Sequence, residues 1–385
     1  LDIHEYQAKG LLSGYGVGIP SGKVACSADE AQAIARELGG SGWVVKAQIH
    51  AGDRGKVGGV KRCATLDEVL EAAAGLIGST LVTPQTGSDG QRVHAVYVEQ
   101  ACEFQTELYL GMLVDGATSR LTLLSSSQGG TGIESDERNI HSTPIDPGLG
   151  LTEEQLQTHT RSLGLVGEQA QAAEQLMRAI YDAFNGLDAS LIEINPLVVT
   201  SSGGLLALDA KMSIDDNALF RHPELEKLRL EEQDPARLER ERHGFNYVRL
   251  DGNIGCLVTG AGLALATLDL LKLYGGEPAN FIDLPPTARR VQIAAAFKLI
   301  LNEPKVKCIL VNVVGGGFTR CDVVAEGITT AAREVSVDVP VVVRLSGTSW
   351  EMGRNLLQNS RMQISYADNM TEAAAKAIEA AKGAA

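Results

Sequence analysis

No stretch of this sequence stays apolar for the roughly 18 residues that a helix needs to cross a bilayer, and no two of its cysteines stand in a Cys-x-x-Cys pair. The first absence removes a helical membrane span. The second removes a common spacing for structural zinc and for redox dithiols. The six cysteines, Cys26, Cys63, Cys102, Cys256, Cys308 and Cys321, are scattered along 385 residues, a chain too long to need disulfide staples. They read as reduced thiols, each a small buried hydrophobe, in a cytosolic setting. Basic charge is also short: 34 Lys and Arg face 48 Asp and Glu, a formal net charge of −14. Such a surface attracts neither nucleic acid nor an anionic membrane, so neither is expected as a partner. Small anions need only a local basic pocket and stay open. The seven histidines are scattered and present no Ser-His-Asp or Cys-His set, so no nucleophile is evident in this chain.

What is present is ordinary in bulk and specific in detail. With 44% hydrophobic and 21% charged residues the chain has the composition of a globular protein, and its length allows two or three domains. The first half mixes both kinds of element. Trp43 to Ile49, Val93 to Glu99 and Glu107 to Leu113 read as strands, Leu66 to Leu76 as a helix, and Glu153 to Phe184 as two more helices. Leu191 to Val199 and Leu205 to Ala210 read as a hairpin about Ser201-Ser202-Gly203-Gly204. The charged, apolar-poor segment Arg221 to Arg242 reads as a linker. Beyond it, strands at Ile254–Val258, Ala279–Leu284, Val306–Val314 and Val339–Leu345 alternate with helices, the pattern of a doubly wound parallel sheet. The expected fold class is α/β, with domains over residues 1–235 and 246–385.

Three places carry chemistry. Lys46 lies on the first strand, and Asp53-Arg54-Gly55-Lys56-Val57-Gly58-Gly59 follows it. Glycines free backbone N–H groups to approach a phosphate, and Lys and Arg neutralise it; a surface hairpin would use the same residues. On the hairpin, alternation puts Glu193 and Asn195 on one face, within reach of Asp209 on the neighbouring strand. Carboxylate and amide oxygens suit Mg²⁺. The alternative is a polar face turned to solvent, which the apolar character of both strands weakens. The loop Gly315-Gly316-Gly317-Phe318-Thr319-Arg320 follows an apolar strand, at the carboxyl end where open α/β sheets bind ligands. It suits a carboxylate or phosphate, or simply a tight left-handed turn.

Taken together these pieces resemble the β subunits of succinyl-CoA synthetases (succinate–CoA ligases) and, almost as closely, those of malate–CoA ligases. The resemblance runs end to end, through His4-Glu5-Tyr6-Gln7-Ala8-Lys9, Val45 to Gly52, Arg54-Gly55-Lys56, Glu107 to Gly111, Glu193 to Val198, Asp216 to Arg221, Gly275 to Phe281 and Arg320-Cys321-Asp322. It implies an ATP-grasp first domain and a flavodoxin-like second domain. It also implies a partner α subunit that carries the catalytic histidine and the CoA site, with ATP as nucleotide, Mg²⁺, and a small dicarboxylic acid as substrate. By the same resemblance Lys46, Asp53, Arg54, Gly55, Glu99, Cys102 and Glu107 match nucleotide-contacting positions, and Asn195 and Asp209 match the Mg²⁺ ligands. Glu193 matches an acid that contacts the swinging histidine. Glu193, Lys46 and Arg54 are the expected catalytic residues; Thr259, Gly315, Gly316, Gly317 and Phe318 are the expected acid-binding ones. Pro20 leans towards ATP over GTP.

The sequence also departs from the family pattern. Thr259 replaces an Asn that helps hold the acid, giving a shorter side chain with one donor where an amide has two. Asp283-Leu284-Pro285-Pro286-Thr287-Ala288-Arg289-Arg290 replaces a glycine run, so backbone donors are lost where the phosphohistidine is expected. Arg289 or Arg290 can restore that charge. The Gly315–Phe318 loop is one residue longer, and the segment after Gly129-Gly130 is shorter. A non-catalytic nucleotide-binding homologue is therefore the rival from another class, and a carboxylate–amine ligase on the same scaffold a remoter one. The chain opens without a basic or apolar leader, so the expected location is the bacterial cytoplasm, or a mitochondrial matrix after a targeting segment is removed.

Overall fold

The computed structural model describes residues 1–87, 90–130, 139–230, 244–316, 319–360 and 362–383. The chain divides into two units, Leu1–Glu231 and Glu232–Ala385.

The first unit holds two main antiparallel sheets. A seven-stranded sheet runs in the order Asp2–Ile3, Ala210–Ile214, Ala189–Thr200, Phe104–Asp115, Arg120–Ser126 and His141–Pro144, with Leu205–Ala207 paired beside Ala189–Thr200. Its apolar face packs on helices Glu5–Gly14, Glu153–Ser162 and Glu168–Gly186 around Leu12, Met112, Ile180 and Ile192. The hairpin expected from the sequence is present, but its return strand is broken. Leu205–Ala207 pairs with Leu197–Val199, and Ala210–Ile214 pairs with Ala189–Ile194. Leu208 and Asp209 fall in the gap, where Leu208 N–H still bonds to the Pro196 carbonyl and the Asp209 carbonyl still accepts Asn195 N–H, while the Leu208 carbonyl and the Asp209 carboxylate reach Lys46 and Arg54 of the second sheet.

That second sheet has four strands in the order Gly22–Ala25, Val96–Gln100, Trp43–Ala47 and Val60–Cys63. Helices Ala28–Leu38 and Leu66–Leu76 cover one face, with Ile34, Val69 and Ala73 buried against Val45 and Val98. Both helices start on a hydroxyl cap, Ser27 and Thr65, which accepts the backbone N–H of the third helical residue.

The second unit is a six-stranded sheet in the order Asn246–Arg249, Pro278–Leu284, Ile254–Thr259, Cys308–Gly315, Val341–Gly347 and Ile364–Tyr366. All neighbours are parallel except the antiparallel edge strand Asn246–Arg249, which the sequence pattern did not reveal. The central strands are near-continuous apolar runs because helices cover both faces. From Ile254–Thr259 the chain passes first to one side of that strand and then to the other. The switch point therefore lies between the carboxyl ends of Ile254–Thr259 and Cys308–Gly315, the crevice where this architecture binds ligands.

Candidate active site

The first unit places six charged side chains in one buried cluster. Lys46, on strand Trp43–Ala47, sends its Nζ to Glu5 at 3.0 Å and to Glu99 at 2.6 Å, and donates to the Leu208 carbonyl at 2.5 Å. Arg54 donates to Glu5 at 2.9 Å, to Asp209 at 2.7 Å and to the Ala47 carbonyl at 2.8 Å. Lys9, one helical turn after Glu5, reaches Glu5 at 3.0 Å and Glu99 at 2.6 Å. Three cations thus meet three carboxylates, and Glu5, Lys9, Lys46, Arg54 and Glu99 are all buried. Only Asp209 is substantially open, with 34% of its side chain exposed. Burial alone would raise the Glu5 carboxyl, but Lys46, Lys9 and Arg54 together hold it well below the usual carboxylate range. Burial works against the charge on Lys46, and Glu5, Glu99 and Asp209 more than offset it. The same opposition, with Asp209 as the strongest partner, keeps Arg54 charged.

Local geometry explains why Arg54 arrives there. Asp53 takes a left-handed conformation, φ 58°, and begins a short 3-10 turn over Arg54–Val57; aspartate is one of the few side chains that tolerates this region. Gly59 N–H then bonds back to the Arg54 carbonyl, and Ala47 N–H to the Gly59 carbonyl. The loop folds onto the end of its own strand and points the guanidinium inward. Asp53 itself pairs outward with Lys56 at 2.8 Å, and Gly55 is exposed at the loop tip.

A second group adjoins the first. Asn195 accepts the Gly130 N–H at 2.6 Å, donates to the Gly130 carbonyl at 3.2 Å, and its own N–H bonds to the Asp209 carbonyl at 3.3 Å. Gly130 sits at φ 85°, and a Cβ there would lie 2.5 Å from Glu107 Oε2. Only glycine fits. Glu107, Gly130, Asn195 and Asp209 therefore form one continuous rim. Glu193 lies two residues before Asn195 on the same strand, opposite Lys211 and Gly111 in the ladder, and is mostly buried. Cys102 is half-buried with its Sγ towards the Glu103 carbonyl; burial, then Glu103 and Glu99, push its thiol up.

Two family models match this chain, an ATP-grasp domain over residues 2–199 and a CoA-ligase domain over residues 257–378. The β subunit of the ADP-forming succinate–CoA ligase of Parvibaculum lavamentivorans is 50% identical, over all of this chain and all of that one. The chain belongs to the succinate–CoA ligase β-subunit family. Its counterparts in Paramagnetospirillum magneticum and Bdellovibrio bacteriovorus are 49% and 48% identical, again over the full length of both chains. Among solved structures, an ATP citrate lyase from Methanothrix soehngenii aligns with a TM-score of 0.73 over 98% of this chain and 99% of that one. At 19% identity it attests the fold.

Within this succinate–CoA ligase family member, the site differs in arrangement from the expectation. Asp209 lies across from Asn195, whose N–H its carbonyl accepts, while its carboxylate bonds to Arg54 at the strand break over Leu208–Asp209, a pairing that the sequence did not show. Glu5 and Lys9 carry no role in the sequence reading, yet they form the floor of the cluster. Their signal was present: an i, i+4 acid–base pair on the same helix face as buried Ala8 and Leu12.

In the second unit the Thr259 hydroxyl accepts the Val314 N–H at 3.1 Å, which leaves its own proton to donate. Gly315 is buried, with its carbonyl accepting Thr348 N–H at 3.1 Å, while Gly316 is exposed with open space at its Cβ position. Gly317 and Phe318 lie outside the described residues. The Pro285 carbonyl accepts Ala288 N–H at 2.9 Å in a turn, and Thr319 Oγ1 donates to the Pro286 carbonyl at 2.8 Å. Arg289 and Arg290, both exposed, follow that turn at the start of helix Arg290–Leu301.

Proposed function

We propose that this chain is the nucleotide-binding subunit of an ADP-forming succinate–CoA ligase. ATP bound in the first unit phosphorylates a histidine of a partner α subunit, the phosphoryl group passes to the acid, and CoA held by that partner displaces phosphate. The observation that carries this reading is the Lys46–Arg54–Asp209 constellation beside Asn195 and Glu107, in a chain half identical to such β subunits along its whole length.

Lys46 and Arg54 are held charged by their carboxylates and stand where phosphate oxygens would compete for their protons. They stabilise charge that builds on the transferring phosphoryl group. Asn195 and Asp209 would hold Mg²⁺. The donor set fits: Mg²⁺ typically takes one or two protein oxygens and completes its shell with phosphates and waters, and among the described residues no cluster of three or more His, Cys, Asp or Glu offers a richer cage. When bound, Mg²⁺ would neutralise phosphate charge. Glu193, on the same strand, is the acid for the incoming histidine. Asp53, Gly55, Glu99, Cys102 and Glu107 line the nucleotide.

In the second unit, Thr259, Gly315 and Gly316 flank the switch-point crevice and receive the acid. The Thr259 hydroxyl, shorter than an amide, favours a second reading in which the acid carries a substituent, as malate does. No described helix is long and apolar enough to cross a membrane, and catalysis in the bacterial cytoplasm completes the proposal. The test is ADP release by the chain with its α partner over a panel of acids with ATP and CoA. Succinate-dependent release supports the reading; release with no dicarboxylate, or with amine acceptors in place of CoA, overturns it.

A further inference from the structure

Lys9 is the most deeply buried charge of the cluster: its side chain has no exposed surface. Its Nζ lies 3.0 Å from Glu5, 2.6 Å from Glu99 and 5.2 Å from the centre of the Tyr97 ring. That ring in turn packs over Gly22 on the neighbouring strand, where a Cβ would lie 2.6 Å from the phenol. Lys9 has no route to a ligand. Both carboxylates it binds are the ones that also hold Lys46 and Arg54.

Charge counting then gives Lys9 a task. With Lys9 present, three cations balance Glu5, Glu99 and Asp209. Without it, Lys46 and Arg54 face three carboxylates, and the cluster turns net negative where a triphosphate has to approach. A buried charge left uncompensated acts through a low dielectric and is poorly screened. We infer that Lys9 is a positioning residue for the nucleotide site: its ammonium offsets one negative charge of the Glu5–Glu99 pair, and so keeps the cluster around Lys46 and Arg54 from turning net negative towards an anionic ligand. This rests on the nucleotide reading above and assigns a role to a residue that touches no substrate.

The test is equilibrium binding of Mg·ATP by calorimetry on the full-length chain, with thermal melting of each variant as a control. Lys9→Met should raise the Kd by about tenfold, the effect of one uncompensated charge at this range. The double variant Lys9→Met/Glu5→Gln restores neutrality and should bind within about threefold of wild type, although it changes two core side chains. Glu5→Gln alone makes the cluster net positive and should bind Mg·ATP more tightly than wild type. That variant decides the matter if Lys9→Met does not fold. Wild-type affinity in Lys9→Met, a double variant as weak as the single one, or weaker binding in Glu5→Gln overturns the inference and reduces Lys9 to packing. Failure of the unmutated chain to bind Mg·ATP defeats the nucleotide reading itself, a distinguishable outcome.

Discussion

Arg54 donates a 2.7 Å hydrogen bond to Asp209 across 155 positions of sequence. One is the cation proposed to bind phosphate, on a loop of the four-stranded sheet, the other a metal-ligand candidate in a break of the seven-stranded sheet. Each neutralises the other, and in the proposed function phosphate and Mg²⁺ would take their places. Arg54 keeps Glu5 as a partner when it leaves Asp209, so the exchange strands no charge.

Asp209→Ala is expected to cut phosphorylation of the partner histidine by at least about 100-fold, the scale of losing one preorganised charge in a transfer site. Its side chain is one-third exposed, but it is the strongest partner of buried Arg54, which then keeps Glu5 as its carboxylate, so the variant should melt lower yet stay folded. Phosphotransfer at the wild-type rate removes Asp209 from the site.

Gly130→Ala forces a side chain into a left-handed residue and onto Glu107 Oε2. It should cost about 1–3 kcal/mol of stability and weaken ATP binding as Glu107 and Asn195 shift. Unchanged urea unfolding and ATP affinity would contradict the rim described here.

His159 makes acid the enemy of this fold. It is fully buried with Nδ1 2.7 Å from Ser125 Oγ, Nε2 has no hydrogen-bond partner among the described residues, and the His141 ring lies 4.7 Å away. Burial first, and His141 second, lower it to about 4. The unfolded chain, with His near 6.5, binds the extra proton first, so stability is full above pH 6.5 and falls as pH drops towards 4. Between pH 7 and pH 5 this one group should remove about 2 kcal/mol. In urea unfolding, His159→Leu should lose that part of the pH dependence; an identical dependence in both proteins refutes the assignment.

Arg289→Ala/Arg290→Ala tests the altered second unit. Two prolines supply no N–H at the turn before helix Arg290–Leu301, and a charge-assisted bond is roughly twice as strong as a neutral one. The double variant should slow transfer from phosphohistidine to acid by about tenfold and spare phosphorylation by ATP. Equal effects on both half-reactions would reject the compensation.

The doubly wound sheet was legible because its buried strands are continuous apolar runs separated by helices of ordinary length. Helix Leu66–Leu76 was legible from its period alone. The edge strand Asn246–Arg249 was not: one antiparallel neighbour and mostly exposed residues leave no periodic mark. In the site, Lys46, Arg54, Asn195 and Asp209 could be named because each stands out chemically in an apolar or glycine-rich setting. Their partnerships could not. Which acid takes which cation depends on the break at Leu208–Asp209 and on how helix Glu5–Gly14 lies, and neither leaves a local pattern. Lys9 is visible in sequence only as the i, i+4 partner of Glu5; nothing local shows that the pair is buried against Glu99.

In the proposed function this chain delivers a phosphoryl group to a histidine of another subunit. The direct measurement is to mix it with its α partner and γ-labelled ATP, with Mg²⁺ present, and follow the label. The expected result is an acid-labile phosphohistidine on the partner, no stable label on this chain, and discharge when succinate and CoA are added. Label held on this chain, or thioester formed by this chain alone, would contradict it.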